Sequence, residues 1–98
     1  MYFISRWLVR YQYHLQHREL LVKHRNTKCH RAMCAELTKA REAAGMSMRQ
    51  LSTKLKRSPN FVHFVESGNR TLSVCEFIEY ANALGIDAAQ LVRRIVDA

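Results

Sequence analysis

Proline and glycine are scarce in this chain, whose 98 residues include one proline and three glycines. No stretch alternates apolar and polar residues for long, so the pattern typical of a half-buried strand is missing. A run of about eighteen apolar residues is also missing, so the sequence predicts no membrane span. These absences favour an all-helical fold, and the length fits one domain with a modest core but hardly a deep enzyme cleft as well.

Cysteine is also sparse, and its pattern argues against a disulfide framework. Three cysteines, Cys29, Cys34 and Cys75, form an odd set without framework spacing, which predicts reduced thiols in a cytoplasmic protein. Cys29, His30, Cys34 and His24 invite a zinc interpretation, but structural zinc prefers four ligands with tighter cysteine spacing. We therefore predict no metal and no cofactor.

The residue sets that carry enzyme chemistry are absent from the sequence too. It contains no acid pair, no nucleophile with an adjacent base and no glycine-rich phosphate loop. We therefore do not expect an enzyme.

Acidic residues are few, and the positive charge is unevenly distributed. The formal net charge is +8. Residues 1–31 contain seven Lys/Arg and one Asp/Glu, a net charge of +6, whereas residues 32–98 contain nine and seven, a net charge of +2. A basic balance fits nucleic acid or an anionic membrane surface as partner, and simple solubility explains it equally well.

The first thirty residues differ in character from the rest, so we divide the chain into a basic segment, 1–30, and a domain, 31–98. Arg6 and Arg10 interrupt the apolar start, which argues against a signal peptide. Three interpretations remain open: an extra helix packed on the domain, a basic arm on DNA, or upstream sequence without a role if translation starts at Met33. The helical interpretation depends on a stripe formed by Ile4, Leu8, Tyr11 and Leu15.

Apolar residues at helical spacing predict five helices between about residues 31 and 97. Gly45 stands where the first helix should end. Ser73 with Glu76 forms a capping box for the fourth helix, and Asp87 caps the fifth. The apolar stripes of the first, fourth and fifth helices are Met33, Leu37, Ala40 and Ala44; Phe77, Ile78, Ala81 and Leu84; and Leu91, Val92 and Ile95.

The second and third helices are short and joined by a tight turn, which is the sequence form of a helix-turn-helix. Ser47 with Gln50 forms a capping box that opens the second helix. Ser58 is predicted to cap the third, with Pro59 at its first position. This third helix, about residues 59–67, would enter the major groove of DNA. The inward stripes of the two helices are Met48, Leu51 and Leu55, then Phe61, Val62 and Val65.

From Leu37 to Leu91 the chain resembles the phage-repressor and Cro-like (Xre-type) helix-turn-helix family. The resemblance rests on LTKAREAAGMS, LSTKL and FVHFVESGNRTLSVCEFIEYANALGI, without a gap. It implies an all-α, compact, lambda-repressor-like bundle of five helices that binds operator DNA, usually as a two-fold dimer. It also implies that Arg41 pairs with Glu66, and the geometry of a bidentate Arg–carboxylate pair suits two helices that meet only in the fold.

Two positions depart from the pattern of the family that the chain resembles. Met48 stands where the family often has Gln, which braces a phosphate contact. Lys56 stands where the family often has Gly in the turn between the two helices, at a left-handed backbone position. Lysine there costs about 1 kcal/mol relative to Gly. These two departures affect the phosphate contacts that the family resemblance implies. They leave the expected fold unchanged.

The outward face of the third helix supplies the predicted base contacts, because Val62 and Val65 point inward. Asn60 can pair bidentately with adenine, and His63 can donate to a phosphate or a guanine edge. Phe64 could touch a thymine methyl, join a protein interface or fold back onto the core, and we favour partial burial. The predicted DNA contacts are Ser47, Arg49, Lys56, Arg57, Ser58, Pro59, Asn60, His63, Phe64, Ser67, Asn69 and Arg70.

The sequence therefore predicts a cytoplasmic regulator that binds double-stranded operator DNA, with an inverted repeat as the expected site. Val92 and Val96 lie on one side of the last helix and exceed what the core needs, so we expect them to form a homodimer contact. The N-terminal segment covering them within one chain is the alternative. An antitoxin-type module whose chief partner is a protein is the alternative function.

Overall fold

The computed structural model describes residues 27–98, and this part of the chain is all-helical. Its five helices are α1 (Lys28–Ala43), α2 (Met48–Lys54), α3 (Phe61–Glu66), α4 (Val74–Ala83) and α5 (Ala88–Asp97). Helix α1 packs against α3 and α5, α2 packs against α3, and α4 packs against α5. The predicted all-α bundle of five helices is confirmed over the described residues. The predicted N-terminal helix lies outside them.

Capping residues fix the helix starts. Ser47 accepts a hydrogen bond from Gln50 N at 3.0 Å, and the Gln50 side chain accepts one from Ser47 N at 2.8 Å. Ser73 and Glu76 form the same reciprocal pair at the start of α4. Each box satisfies two backbone donors that the first helical turn leaves free. Both predicted capping boxes are present.

The start of α1 and of α5 differs from the prediction. Helix α1 begins at Lys28 rather than near 31, because Thr27 accepts from His30 N at 3.2 Å and caps it. Asp87 occupies the N-cap position of α5, but its side chain makes no capping hydrogen bond.

The first four helices all end in a left-handed residue directly after the C-cap. Gly45, Gly68 and Gly85 occupy three of these positions, with φ of 70°, 84° and 72°. The fourth is Lys56, with φ 57°, at the end of α2. A side chain at positive φ costs about 1 kcal/mol relative to glycine. The backbone N–H of Lys56 and of Arg57 donate to Thr53 O and Ser52 O, which terminates α2 in spite of that cost.

The core lies where these helices meet, and its fully buried side chains include Leu37, Leu51, Val62, Leu91 and Tyr80. Met33, Met48, Leu55, Phe77 and Leu84 pack against it from the edge.

Three residues of the predicted stripes behave differently from the rest. Ala44 is exposed because it is the C-cap of α1 and lies past the packed turns. Ile78 is exposed because α4 instead buries Tyr80 and Ala81. Val92 is exposed too, and the predicted homodimer contact requires that exposure.

Tyr80 is a core residue that the apolar pattern did not identify. Its ring is fully buried, and burial raises the pKa of its hydroxyl. That hydroxyl has no hydrogen-bond partner within the described part of the chain.

Candidate nucleic-acid interface

Helix α3 begins two residues later than the sequence predicted, and a neighbouring helix caps it. Ser58 and Pro59 lie in a turn before the helix, and Asn60 is the N-cap. The prediction that Ser58 caps the helix and Pro59 opens it is therefore wrong. The backbone N–H of Val62 donates to the buried hydroxyl of Ser52 on α2, at 3.1 Å. Because Ser52 satisfies this donor, the Asn60 side chain makes no capping bond.

The other end of α3 is held by α1 through the Arg41–Glu66 pair. Arg41 Nε donates to Glu66 Oε2 at 2.7 Å, and Nη2 donates to Oε1 at 3.1 Å. The two side chains are 10% and 4% exposed. Thr38 donates to Glu66 Oε1 at 3.0 Å, and Arg41 Nη1 donates to Met46 O at 2.8 Å. The hydrogen bond to Glu66 raises the pKa of Arg41, so the guanidinium stays charged.

Two further side chains of α1 contact the backbone at the end of α3. The Cys34 thiol lies 3.4 Å from Val65 O, to which it donates. His30 Nε2 lies 3.4 Å from Gly68 O. Burial raises the pKa of Cys34, which keeps the thiol protonated as a donor. Helix α3 is therefore fixed at both ends by side chains from other helices.

The face of α3 turned away from the core is polar except for one aromatic ring. Asn60, His63 and Ser67 are exposed, and Phe64 is 45% exposed. Phe64 is thus more exposed than the partial burial that we favoured, although its ring lies 5.8 Å from the His63 ring. Ser67 donates to Phe64 O at 3.2 Å and accepts from Asn69 Nδ2 at 3.2 Å. This face presents an imidazole on the short helix, an amide at its N-cap and a hydroxyl at its C-cap.

Basic residues flank α3 on both sides in the sequence and fall into two groups in the structure. Arg49, Lys54 and Lys56 are exposed, and their side chains form no hydrogen bond or ion pair with other described residues. Arg57 and Arg70 instead donate to the same carboxylate, that of Glu76 on α4, at 2.9 Å and 2.7 Å. The predicted phosphate contacts therefore include cations that are free in the described part of the chain and cations that are already paired.

Glu76 is strongly acidic in this arrangement. The hydrogen bonds from Arg70 lower its pKa to about 2, and the backbone N–H of Ser73 and the charge of Arg57 act in the same direction. The carboxylate is therefore ionised at any pH at which the protein would meet DNA.

The cysteines do not come together. Cys29 and Cys75 are exposed, whereas Cys34 is buried. No three potential metal ligands cluster between residues 27 and 98. His24, which belonged to the zinc alternative, lies outside the described residues. No helix in this same part of the chain combines the length and hydropathy needed to cross a membrane.

Sequence reasoning missed the residues that act between helices. Ser52, Thr38 and Glu76 all receive or donate bonds across the fold, from partners 10 to 28 residues away. The sequence indicated the bonding role of Ser52 only weakly, through its place as a polar residue beside the core residue Leu51. Glu76 was identified only as the second member of a capping box.

A short helix with a polar outer face, seated on a second helix through a tight turn, defines a helix-turn-helix protein. A family model described as helix-turn-helix matches residues 37–91. An XRE-family like protein from Pseudomonas syringae pv. tomato is 28% identical, with a TM-score of 0.69 over 79% of this chain and 94% of that chain. The chain belongs to the Xre-type helix-turn-helix family of DNA-binding transcriptional regulators.

Two structures of the clp gene regulator ClgR from Corynebacterium glutamicum are also similar. Both are 23% identical, with TM-scores of 0.65 over 70% of this chain and 73% or 88% of theirs. At this identity the likeness shows the shared fold. No curated protein matches the chain.

Proposed function

We propose that the chain recognises a specific operator in double-stranded DNA by placing α3 in the major groove, and so regulates transcription. The observation that carries the proposal is the construction of α3. Its two ends are bonded to Ser52 and Arg41, and the outer side chains of Asn60 and His63 form no hydrogen bond within the described part of the chain. A rigid helix with unoccupied polar groups is what direct readout of base edges requires.

Asn60 is the proposed base reader. Its exposed amide is unused by the helix cap, and an amide can donate to and accept from one adenine. His63 and Phe64 follow on the same face, with a guanine edge or a thymine methyl as their targets. Ser67 lies near the end of this face and its hydroxyl is partly occupied by Phe64 O.

The flanking residues are the proposed phosphate contacts, which fix the position of the protein without reading sequence. Arg49 and Lys56 offer free positive charges within the described part of the chain. The Ser47 oxygen accepts a hydrogen bond in the capping box, so its hydroxyl hydrogen is the group that would donate to a phosphate. The proposed set of positioning residues is Ser47, Arg49, Lys56, Arg57, Ser58, Asn69 and Arg70.

Selection of bound duplexes from a random pool tests this proposal directly. The full chain should enrich one sequence motif, and its affinity should fall steeply with salt as counterions are released from the phosphates. Binding without a preferred sequence, or binding insensitive to salt, would contradict the assignment of α3 as a reading helix.

We also propose a homodimer, formed through α5 and matched to an inverted-repeat operator. Val92 and Val96 are 46% and 69% exposed and lie four residues apart, on one side of the helix. Pairing of this stripe with its symmetry mate would place two α3 helices about 34 Å apart, one turn of DNA. The enriched motif should then contain two half-sites at that spacing.

The double variant Val92→Asp/Val96→Asp tests the dimer. Two charges in a two-fold contact repel their mates, so sedimentation should show a monomer and the affinity for the full operator should fall to that of a half-site. Gln90→Asp places one negative charge elsewhere on α5 and serves as the control. An unchanged oligomeric state in the double variant would contradict the proposed contact.

One observation favours the second candidate function, an antitoxin-type interaction module. Val92 and Val96 also line an apolar groove of about 540 Å³, together with Met33, Val74 and Phe77. A partner protein could insert a side chain there. Purified chain that binds no duplex selectively would favour this alternative over operator recognition.

A further inference from the structure

Two arginines and a glutamate meet over an aromatic ring beside the start of α3. Arg57 precedes α3, Arg70 follows it, and Phe61 is its first residue. The guanidinium carbons of Arg57 and Arg70 lie 5.0 Å and 5.1 Å from the centre of the Phe61 ring, within the range of a cation–π contact. Glu76 on α4 accepts from both arginines. We refer to these four residues as the arginine cluster.

The Glu76 carboxylate is fully occupied by its neighbours. Oε1 accepts from Arg70 Nη1 and from Ser73 N, both at 2.9 Å. Oε2 accepts from Arg70 Nη2 at 2.7 Å and from Arg57 Nη2 at 2.9 Å. Four donors on two oxygens fix this carboxylate in one orientation, and both guanidinium groups with it.

The arginines nevertheless keep donors for another anion. Their side chains are 40% and 36% exposed. A guanidinium has five N–H donors, and Arg57 uses one of them within the cluster. Arg70 uses its two terminal nitrogens for Glu76 and for the carbonyl of Thr71 and retains its Nε donor. The cluster has two positive charges and one negative charge, so it still attracts an anion.

We propose that Glu76 is a positioning residue that orients Arg57 and Arg70 toward one DNA backbone phosphate next to the start of α3. This inference rests on the proposed function. Glu76 fixes the direction of two side chains that would otherwise be flexible and would repel each other, so the entropy of ordering them is lost on folding and not on DNA binding. The negative charge of Glu76 also offsets one of the two positive charges. This weakens binding to duplexes in which α3 does not lie in the major groove of its correct site.

Glu76 therefore favours the correct site over other DNA and does not simply strengthen binding. Without its charge, the two arginines would attract any phosphate, and unrelated duplexes would bind more tightly. The correct site would gain less, because its phosphate would now have to order both side chains. The ratio of specific to non-specific affinity is thus the property that Glu76 controls.

Glu76→Gln is the variant that tests this role, since glutamine keeps the acceptor for Ser73 N and the capping box survives. Glu79→Gln removes the same charge from an exposed position of the same helix and serves as the matched control. Affinities for the selected operator and for an unrelated duplex are measured over a salt series. We expect Glu76→Gln to lower the affinity ratio about fivefold or more, since each immobilised arginine contributes a factor of roughly 2 to 13. We also expect it to steepen the salt dependence by about one phosphate contact.

A DNA-free measurement separates this inference from the proposed function. NMR relaxation of the Arg57 Nε–H group should show a rigid side chain in the wild type and in Glu79→Gln, and a mobile one in Glu76→Gln. Selective operator binding with an unchanged affinity ratio in Glu76→Gln would overturn the role of Glu76 alone. If the wild-type chain binds all duplexes without preference, the proposed function and the phosphate contact are both wrong, whatever the relaxation data show.

Discussion

At the scale of the residue, Ser52 shows how one small side chain can determine the geometry of α3, the helix that we propose reads the bases. It is fully buried, donates to Met48 O at 2.9 Å and accepts from Val62 N at 3.1 Å. It therefore caps α3 from another helix. The Asn60 amide, which stands at the N-cap and would ordinarily be used there, is left available for a base.

Ser52→Ala should destabilise the protein by about 1–2 kcal/mol, because the buried Val62 N–H would lose its acceptor. Chemical denaturation measures the change. Thr53→Ala, at the next and exposed position of α2, is the control and should change stability by less than about 0.5 kcal/mol. Equal stabilities of the two variants would show that the Val62 N–H finds another partner.

The same residue explains where sequence reasoning reached its limit. Capping boxes at Ser47 and Ser73 were predictable because both partners lie three residues apart. The cap of α3 was not, because its acceptor lies ten residues upstream and on another helix. The local sequence pattern indicated Ser58 as the cap, but the hydroxyl of Ser52 on α2 accepts the hydrogen bond from Val62 N instead.

At the scale of the element, the relation between α1 and α3 depends on a bidentate ion pair that is shielded from water. Family resemblance indicated that Arg41 and Glu66 would meet, and the structure adds the bonds from Thr38 and to Met46 O. These extra bonds matter because a shielded pair stabilises only when its remaining donors and acceptors are satisfied. No periodicity in the sequence could have shown them.

Glu66→Ala should cost on the order of 3 kcal/mol, since it leaves the Arg41 guanidinium shielded and without its partner. The matched control is Glu42→Ala, which removes an exposed carboxylate 4.0 Å from the same guanidinium. That change should cost less than about 1 kcal/mol. Thermal denaturation of both variants decides the question, and equal melting temperatures would show that the buried pair contributes nothing.

The contact of α4 with the segments that flank α3 should depend on pH through Glu76. Its pKa of about 2 in the folded chain lies below the unfolded value of about 4.3. The carboxylate therefore stabilises the fold above about pH 4.3, and this contribution is lost as the pH falls toward 2. The melting temperature of Glu76→Gln should lie below that of the wild type at pH 6, and the difference should vanish near pH 2. A difference that stays constant over this range would contradict the role of the charge.

At the scale of the whole molecule, the sequence predicted the number and order of the helices between residues 27 and 98, because each apolar stripe there comes with its own start or stop signal. The family resemblance implied a left-handed backbone at Lys56, which the structure shows. The sequence could not predict which basic side chains would be free. Arg57 and Arg70 resemble Arg49 in the sequence, but Glu76 pairs with the first two and not with the third.

We propose that α3 reads bases while the residues around it hold phosphates. A comparison of Asn60→Ala with Arg49→Ala, each by duplex selection and by affinity for the selected operator, tests it most directly. Asn60→Ala should relax the preference at one or two base pairs and cost about 1–3 kcal/mol on the operator alone, whereas Arg49→Ala should weaken all duplexes alike and lower the salt slope by about one. An unaltered site preference in Asn60→Ala, or a changed preference in Arg49→Ala, would show that α3 and the flanking residues do not divide the roles in this way.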